Sequence, residues 1–395
     1  MHMLDYDKKF LLKSHDNLTF DGSSIRGFSR QTESDLRLAI DWPAFYWLPA
    51  DVFGPGKVLV FGEVQDQDGT AYEGDLRARL KDLSGDLRAK GMVAHVSNEI
   101  EGFVFKGRDA ERRYRETGEF QFISTGGYYH SLPGDTLRQF IDSSAEVQRA
   151  LGFGNEKDHP EVAPSQFEMN YGHTAATIAA DQVQLYKLVA RQVAAQLDLT
   201  ASFLPKPVAG VNGNGMHTNM SLSKNGKNLF YDKDGQDGLS AAAWEFVNRI
   251  LASANDICLT LNSSVNSYRR LDPAYEAPNQ IKVSPKDRGS MIRIPIGNEN
   301  SARVEVRSIA PDANPYLAIF TLLRTGTEGP LPENESGRTR TRFLPDNIHD
   351  AIRLFKSSKY AKQLLGDVVH EKYAELKIAS AERCPKALGS RIKRS

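Results

Sequence analysis

The chain is short of the features that define several common protein classes. Its 395 residues include two cysteines, Cys258 and Cys384, and its 50 basic residues balance its 50 acidic ones. Two distant thiols form neither a disulfide framework nor a thiolate metal cluster. A balanced charge offers no general attraction to nucleic acid or to a membrane surface. No apolar run approaches the roughly 20 residues that cross a bilayer. These absences exclude small secreted, nucleic-acid-binding and membrane-spanning classes.

Both ends of the chain also lack targeting features. The first residues are too charged for a secretory signal, so the sequence predicts a cytoplasmic protein. The basic stretch at 391–394 is expected to be a solvated tail rather than a binding patch. Cys258 lies in an apolar stretch and is expected to act as a small buried hydrophobic residue.

The length favours two domains. Residues up to about 70 are rich in strand and turn patterns, with the run 57–64 the plainest strand. Asp75 opens an amphipathic helix, in which leucines such as Leu80 and Leu87 share one face. We place the domain boundary just before this helix, which gives an N-terminal domain at 1–71 and a larger domain at 72–395.

The larger domain mixes strands and helices without regular alternation, which predicts the α+β class. Strands are predicted at 92–105, 167–171, 292–296 and 303–307. Helices are predicted at 133–151, 174–197, 239–261, 314–323, 348–365 and 368–381.

Charged residues occupy strands that a buried sheet would fill with apolar side chains. Glu99 and Glu101 are two residues apart, so they share one face while Ile100 points to the other. The strand at 303–307 alternates in the same way, with Glu305 between two arginines. A half-exposed strand with its polar face in solvent predicts the same alternation. Taken alone, the pattern leaves both interpretations open.

A further acidic segment favours a metal site. It adds Glu161 and Glu168, and a glycine-rich segment ends at His217. Hard divalent cations prefer carboxylate oxygens, sometimes with an imidazole. Five glutamates and one histidine could therefore form two sites, suited to Mg²⁺ or Mn²⁺ more than to Zn²⁺, although a generic acidic sheet edge is the alternative. Removing one carboxylate, such as Glu305, is expected to relieve repulsion and leave the fold intact.

Arginines concentrate in the last third of the chain. They are Arg269, Arg270, Arg288, Arg293, Arg303 and Arg307. Guanidinium groups bind carboxylates and phosphates in a bidentate manner, although structural ion pairs are an alternative use. Carboxylates for metals together with arginines for anions are what phosphoryl transfer requires. The glycine-rich segment before His217 lacks the third glycine of a dinucleotide fingerprint.

Short blocks between Phe20 and about residue 325 occur in the order seen in one family. They include FDGSSI at 20–25, ESD at 33–35, HPEVAPSQFE at 159–168, NGNGMH at 212–217, NSYRRL at 266–271, YEAP at 275–278, DRGSMIRIP at 287–295, RVEVR at 303–307 and NPYLA at 314–318. Each block alone is weak, but their shared order is specific. In these blocks the chain resembles glutamine synthetases of the bacterial type I kind.

The resemblance implies a small N-terminal β-grasp domain and a larger catalytic domain with a strand-lined, funnel-shaped active site. It implies an ATP-dependent ligase with two or more Mg²⁺ ions, or Mn²⁺, that makes glutamine from glutamate and ammonia. One metal site would be formed by Glu101, Glu161 and Glu168. The other would be formed by Glu99, His217 and Glu305.

The same resemblance implies roles for further residues. Glutamate would be held by Arg270, Arg307, Asn212 and Gly213. The nucleotide would be held by Glu156, Ser221, Arg293 and Arg303. The ammonium site would consist of Asp21, Ser24, Tyr128 and Glu276, with Glu276 on a closing flap. Arg288 would neutralise the transferred phosphoryl group. Asp21 would reach the active site of a neighbouring subunit, which implies a homo-oligomer, a hexamer or a dodecamer, with active sites between subunits.

The sequence also departs from the family pattern. Pro160 and Asn219 stand where many relatives have histidine, and both are expected to weaken ATP binding without abolishing it. Only 19 residues precede Phe20, so one or two β-grasp strands are expected to be missing, and the end of the chain looks early for the family. The loop at 326–342 has no tyrosine of the kind some relatives use for adenylylation.

Two rival functions accompany this interpretation. One is a γ-glutamyl ligase that conjugates glutamate to a polyamine or another amine. The matching ammonium-site residues favour ammonia over that alternative. The other is a non-catalytic family member with an assembly or regulatory role, which usually loses metal glutamates or phosphate arginines. None of those is lost here.

Overall fold

A computed structural model describes residues 3, 5–14, 18–25, 27, 29–31, 34–130, 134–332 and 341–383. Glu33, Pro133, Cys384, the basic stretch at 391–394 and part of the loop at 326–342 lie outside the described residues. The strands are β1 Leu18–Asp21, β2 Asp35–Trp47, β3 Val58–Gln65, β4 Met92–Lys106, β5 Asn155–Pro160, β6 Gln166–Tyr171, β7 Thr174–Ala175, β8 Leu199–Ser202, β9 Met216–Lys224, β10 Lys227–Asn228, β11 Gln280–Ser284, β12 Ser290–Arg293 and β13 Val304–Val306. The helices are α1 Lys8–Ser14, α2 Ala50–Phe53, α3 Leu76–Ala89, α4 Ala110–Thr117, α5 Thr136–Ala150, α6 Ala176–Gln196, α7 Ala241–Ala252, α8 Ala254–Leu261, α9 Val265–Arg270, α10 Pro315–Glu328, α11 Ile348–Ser357, α12 Lys359–Leu365 and α13 Asp367–Ala381. This mixture confirms the α+β class.

The N-terminal strands form a sheet of their own. It has three antiparallel strands in the order β1-β2-β3. Arg77, at the start of α3, joins this sheet to the rest of the chain. Its guanidinium donates to both carboxylate oxygens of Asp181 at 2.9 and 2.8 Å and lies 2.7 Å from Asp41 on β2. All three side chains are buried, so this ion pair network holds the small sheet against the larger unit.

A larger sheet of ten strands crosses the rest of the molecule. Its main path runs β11-β12-β13-β9-β4-β6-β5, and neighbouring strands are antiparallel except for β11 and β12. On β4, Val96 and Ile100 have no exposed surface, and they pack into the main apolar core. Glu99 and Glu101 point to the other face, as the alternation of this strand predicts.

Helices cover the apolar face of the large sheet. One of them is α6, whose residues Val183, Tyr186 and Ala190 are fully covered. The predicted helix after Asp75 is confirmed as α3. The Asp75 carboxylate caps it by accepting from the backbone of Arg77 and Ala78.

Several predicted element bounds were wrong. The helix predicted at 239–261 is two helices, because Ser253 takes φ −93° and ψ 4° and ends one helix where the next begins. The helix predicted at 348–365 is also two, since Ser358 is extended and caps α12 through its hydroxyl. The strand predicted at 292–296 ends at Arg293, and Ile296 is fully exposed.

The remaining differences are smaller. Within the described residues, helix α5 begins at Thr136 behind the cap Asp135 rather than at 133. Thr174 and Ala175 form a short strand before α6 begins. The helix predicted at 314–323 continues to Glu328. Cys258 is buried in α8, as predicted. Among the described helices, none combines the length and apolar character needed to span a bilayer.

Candidate active site

Cross-strand register assembles the acidic residues on the polar face of the large sheet. Glu99 on β4 lies opposite His217 on β9, and Glu101 lies opposite Glu168 on β6. Glu305 on β13 lies opposite Asn219 on β9. Glu99, Glu101, Glu168 and His217 line one cavity of about 300 Å³, and most of the predicted arginines line it as well.

A first cluster consists of Glu99, His217 and Glu305. One potential ligand atom from each lies within 4.8 Å of the others. The Nδ1 atom of His217 is 3.6 Å from Glu99 Oε2 and 3.8 Å from Glu305 Oε1. Burial lowers the pKa of His217 to about 3, so the imidazole is neutral and one of its two ring nitrogens has a lone pair for a cation. The structure therefore brings together the three residues that the resemblance grouped.

A second cluster consists of His159, Glu161 and Glu168, also with ligand atoms within 4.8 Å of one another. His159 lies 3.9 Å from Glu161 and 3.7 Å from Glu168. Sequence reasoning did not single out His159, although its position two residues before Glu161 was a usable signal. Glu101, predicted for this site, lies between the clusters. It accepts from the Gly215 amide at 2.6 Å, and its other oxygen is 3.9 Å from His217.

Ionisation of the two carboxylates in the second cluster is unfavourable. Burial and the neighbouring Glu101 raise the pKa of Glu161 to about 7. Burial, then Glu101 and Glu99, raise the pKa of Glu168 well above its usual range. Buried like charges favour the protonated form unless a cation compensates them. A buried set of carboxylate oxygens and imidazole nitrogens fits divalent cations of the Mg²⁺ or Mn²⁺ kind.

The first cluster is different, because arginines neutralise one of its members. Glu305 has no exposed surface. Its carboxylate accepts from Arg293 Nε at 2.6 Å and from Arg307 Nη1 at 2.7 Å. The half-exposed alternative for this strand is therefore wrong. So is the expectation that loss of Glu305 would only relieve repulsion, since its loss would leave two guanidinium groups without their partner.

Arg270 and Arg307 are both buried, and both line the cavity. Arg270 donates to the backbone carbonyls of Ile309 and Arg307 at 3.2 and 3.0 Å, and burial lowers its pKa to about 10. The Nε atom of Arg307 is buried and, among the described atoms, has no hydrogen-bond partner. An orphaned guanidinium donor beside a second buried arginine suits a carboxylate ligand.

The mouth of the cavity is formed by Asn212, Tyr128, Glu276 and Arg288. Asn212 donates to Glu276 at 3.2 Å, and Arg288 lies 3.9 Å from the same carboxylate. Glu276 takes a left-handed backbone conformation with φ 59°, which is costly for a residue with a side chain. Gly213 lies so close to the carbonyl of Pro205 that a Cβ there would be 2.4 Å from it, so only glycine fits.

Five predicted site residues are not among the described residues that line the cavity: Asp21, Ser24, Glu156, Ser221 and the fully buried Glu305. Asp21 lies at the end of β1 and accepts from the hydroxyl groups of Ser23 and Ser24 at 2.6 and 2.5 Å. These bonds, that of Ser23 first, lower its pKa. Ser221 lies on β9, opposite His95.

Sequence reasoning also missed several lining residues besides His159. They are Tyr129, Lys157, Gln166, Asn170 and Tyr275. Gln166 donates to the Gly213 carbonyl at 2.9 Å, and Asn170 donates to Glu168 at 2.8 Å. Both side chains are amides, and nothing in the local sequence separates them from ordinary strand residues.

The raised pKa of Glu161 leads to a pH-dependent prediction. Replacing Glu161 with glutamine should stabilise the metal-free protein above about pH 7, and this gain should vanish as the pH falls towards about 4.5. The folded-state pKa lies above the unfolded value, so the ionised carboxylate lowers the free energy of unfolding only at the higher pH. Calorimetric Tm values of both proteins in a chelator, from about pH 5 to about pH 8, test this.

The matched control for this prediction is Glu375→Gln, at an exposed position on α13. Its Tm difference from the wild type should not change over the same pH range. A gain from Glu161→Gln that is equal at both ends of the range would contradict the assignment of a charge penalty to Glu161.

The cavity combines buried carboxylates, neutral imidazoles and a set of arginines. This combination defines an enzyme of phosphoryl transfer that works with divalent cations. The comparisons with known proteins agree. A profile for the catalytic domain of glutamine synthetase matches residues 73–390. Glutamine synthetase from Methanosarcina mazei is 38% identical over 373 residues, which cover 90% of this chain and 82% of that protein. The enzyme from Clostridium saccharobutylicum is 36% identical over 392 residues, which cover 94% and 86%.

Solved structures show the same likeness. A complex of GmaS with ADP superposes with a TM-score of 0.81 at 26% identity, covering 94% of this chain and 88% of the other. Plasmodium falciparum glutamine synthetase gives a TM-score of 0.84 at 20% identity, covering 97% and 90%, which supports the fold alone.

The chain belongs to the glutamine synthetase family. It is a ligase that forms an amide in an ATP-dependent reaction. Members of this family are oligomers that act on small molecules and use ATP and divalent metal ions. The family assignment made from the ordered sequence blocks is confirmed.

Proposed function

We propose that the two clusters hold two or more Mg²⁺ ions, with Mn²⁺ as a substitute. The first site consists of Glu99, His217 and Glu305. The second consists of Glu161 and Glu168, with Glu101 or His159 as the third ligand. The raised pKa values of Glu161 and Glu168 support this proposal, because they mark charge that a cation would neutralise. When bound, the cations would offset the negative charge of the ATP phosphates.

The same proposal assigns glutamate to the buried arginines. Arg270 and Arg307 bind its carboxylates, and Asn212 and Gly213 supply short polar contacts. The observation that carries this assignment is the buried Nε of Arg307, which has no hydrogen-bond partner within the described part of the chain and lies beside Arg270 in the cavity. A carboxylate there would satisfy that donor and pair with charges already desolvated.

The nucleotide is assigned to Glu156, Ser221, Arg293 and Arg303. Ser221 follows His217 and Asn219 along the same face of β9, so the nucleotide site would continue the first cluster along one strand. The ADP in the GmaS structure supports nucleotide binding in this fold. Arg293 and Arg303 line the cavity and supply positive charge for phosphate oxygens.

The reaction follows in two steps. An oxygen of the γ-carboxylate of glutamate attacks the γ-phosphorus of ATP, and the bond to ADP breaks. Arg288 offsets the negative charge of the transferred phosphoryl group. Ammonium, bound at Asp21, Ser24, Tyr128 and Glu276, then gives a proton to Asp21. The resulting ammonia attacks the acyl phosphate carbon, the bond from that carbon to the phosphate oxygen breaks, and the departing phosphate takes the second proton from the nitrogen. Glu276 closes over the site and excludes water.

The position of Asp21 supports a shared site. It lies in the small N-terminal sheet, outside the cavity-lining residues described above. We place the domain boundary between residues 71 and 72, which the separate three-stranded sheet supports. A ring in which each small domain serves the neighbouring catalytic domain requires head-to-tail contacts. The proposed assembly is a hexamer or a dodecamer in the cytoplasm.

The choice of amine tests the function directly. Ammonium should support turnover at least about tenfold better than methylamine, ethylamine or putrescine at equal concentration, because the ammonium pocket matches and an alkyl group must displace its lining. Phosphate release with ATP and glutamate, with the amide product identified by mass spectrometry, measures this.

Reactions without amine correct for ATP hydrolysis. If an alkylamine exceeds ammonium, the chain is a γ-glutamyl-amine ligase rather than a glutamine-forming enzyme. If no amine is ligated although ATP and glutamate bind, the non-catalytic alternative is supported.

A further inference from the structure

Asn219 links the first cluster to an arginine that faces the cavity. Its Nδ2 donates to Glu99 Oε1 at 2.9 Å, and its Oδ1 accepts from Arg303 Nε at 3.0 Å. The side chain is only 4% exposed. Both ends of one short amide are therefore used, one on a carboxylate and the other on a guanidinium.

The placement follows from the strand pattern. Asn219 lies on β9 two residues after His217, so both point to the polar face of the sheet. It also lies directly opposite Glu305 on β13. The amide thus lies beside all three members of the first cluster, while only Glu99 accepts its hydrogen bond.

The neutral amide has a consequence that a direct ion pair would not have. Glu305 is already paired with two arginines. If Arg303 bound Glu99 directly, it would neutralise the second carboxylate of the cluster and compete with a cation. The side-chain amide of Asn219 lies between Arg303 and Glu99 and takes one hydrogen bond to each. It orients Glu99 through Oε1 and leaves Oε2, which is 3.6 Å from His217 Nδ1, for a cation.

We propose that Asn219 is a positioning residue that holds Glu99 for cation binding and, through its carbonyl, holds Arg303 for the nucleotide phosphates. This proposal rests on the metal and nucleotide roles proposed above. It differs from the expectation that asparagine at this position only weakens ATP binding. The residue couples two subsites, and no contact with the nucleotide is needed for its effect.

Replacing Asn219 with leucine tests the link, since leucine is similar in size but neither donates nor accepts. Mn²⁺ binding to the nucleotide-free protein, measured by calorimetry, should weaken by about 10- to 100-fold at one site and stay unchanged at the other, because loss of an outer partner of a ligand has that effect. Affinity for the non-hydrolysable analogue AMP-PNP should fall as well.

A double variant separates the two ends of the amide. In an Arg303→Met background and in the absence of divalent cations, Asn219→Leu should lower AMP-PNP affinity no further, because the link to the phosphates is already lost. It should still weaken Mn²⁺ binding, because the bond to Glu99 is independent of Arg303. Fully additive effects on AMP-PNP affinity would overturn the link to Arg303.

Thr218→Val is the matched control. Thr218 lies on the same strand, points to the opposite face and donates to Asn98 at 2.9 Å. This variant loses one buried hydrogen bond but should bind Mn²⁺ and AMP-PNP like the wild type. Equal losses in both variants, or an unchanged Mn²⁺ titration in Asn219→Leu, would overturn the proposal. Neither titration needs turnover, so a failure of the ammonia assignment would remain distinguishable.

Discussion

Replacing Glu305 with alanine should lower kcat/KM for ATP by more than about a hundredfold, since losing only an outer partner of a metal ligand costs about 10- to 100-fold. The substitution removes one member of the first cluster and leaves the second cluster complete. Initial rates of phosphate release at saturating glutamate and ammonium measure the effect.

The same substitution should also destabilise the protein, by about 3–5 kcal/mol, because one partner of a buried ion pair is removed. Glu305 has no exposed surface, and Arg307, only 7% exposed, would lose this carboxylate partner. Denaturant unfolding in a chelator isolates this effect from cation binding. The contrast with Glu161→Gln is informative, since that substitution in the second cluster should stabilise the metal-free protein.

Two controls make the result specific. Glu299→Ala, in the exposed loop before β13, should change neither activity nor stability. Glu305→Gln keeps the shape of the side chain, so a similar loss of activity would assign the effect to charge rather than to a cavity. Wild-type activity in Glu305→Ala would rule out the first cluster as a metal site.

Mixing two inactive variants should restore activity if the active site is shared. Asp21→Ala removes the proposed proton acceptor for ammonium, and Arg288→Ala removes the proposed charge partner of the transferred phosphoryl group. In rings reassembled from equal amounts, about a quarter of the interfaces should pair an intact Asp21 with an intact Arg288. Ligase activity of the mixture should therefore reach about a quarter of the wild-type value.

The physical reason is the separation of the two residues within one subunit. Arg288 lines the cavity, whereas Asp21 belongs to the small sheet and is engaged by Ser23 and Ser24. Each variant should be inactive alone. Native mass spectrometry of differently labelled subunits confirms that mixed rings form. Mixed rings without recovered activity would show that Asp21 serves its own subunit or has no part in the reaction.

The sequence by itself determined the chemistry of the site. Alternation along β4 placed Glu99 and Glu101 on one face and Ile100 on the other, and the structure has this arrangement. The cap Asp75 and the leucine spacing were enough to predict α3. These signals are local, because side-chain period and capping depend on residues only a few positions apart.

The breaks within two predicted helices could not be predicted from local sequence patterns. Ser253 and Ser358 lie in otherwise continuous helical sequence, and each ends one helix and begins the next. Apolar periodicity continues across such a break, since both helices pack on the same core. Only the backbone conformation at the serine shows that the axis changes.

The tertiary structure alone decided how the charges are balanced. Arg293 and Arg307 neutralise Glu305, whereas burial and neighbouring carboxylates raise the pKa values of Glu161 and Glu168. Arg293 reaches Glu305 because its strand, β12, is paired with β13 at that position. Register between distant strands sets which side chains meet, and no local pattern contains it.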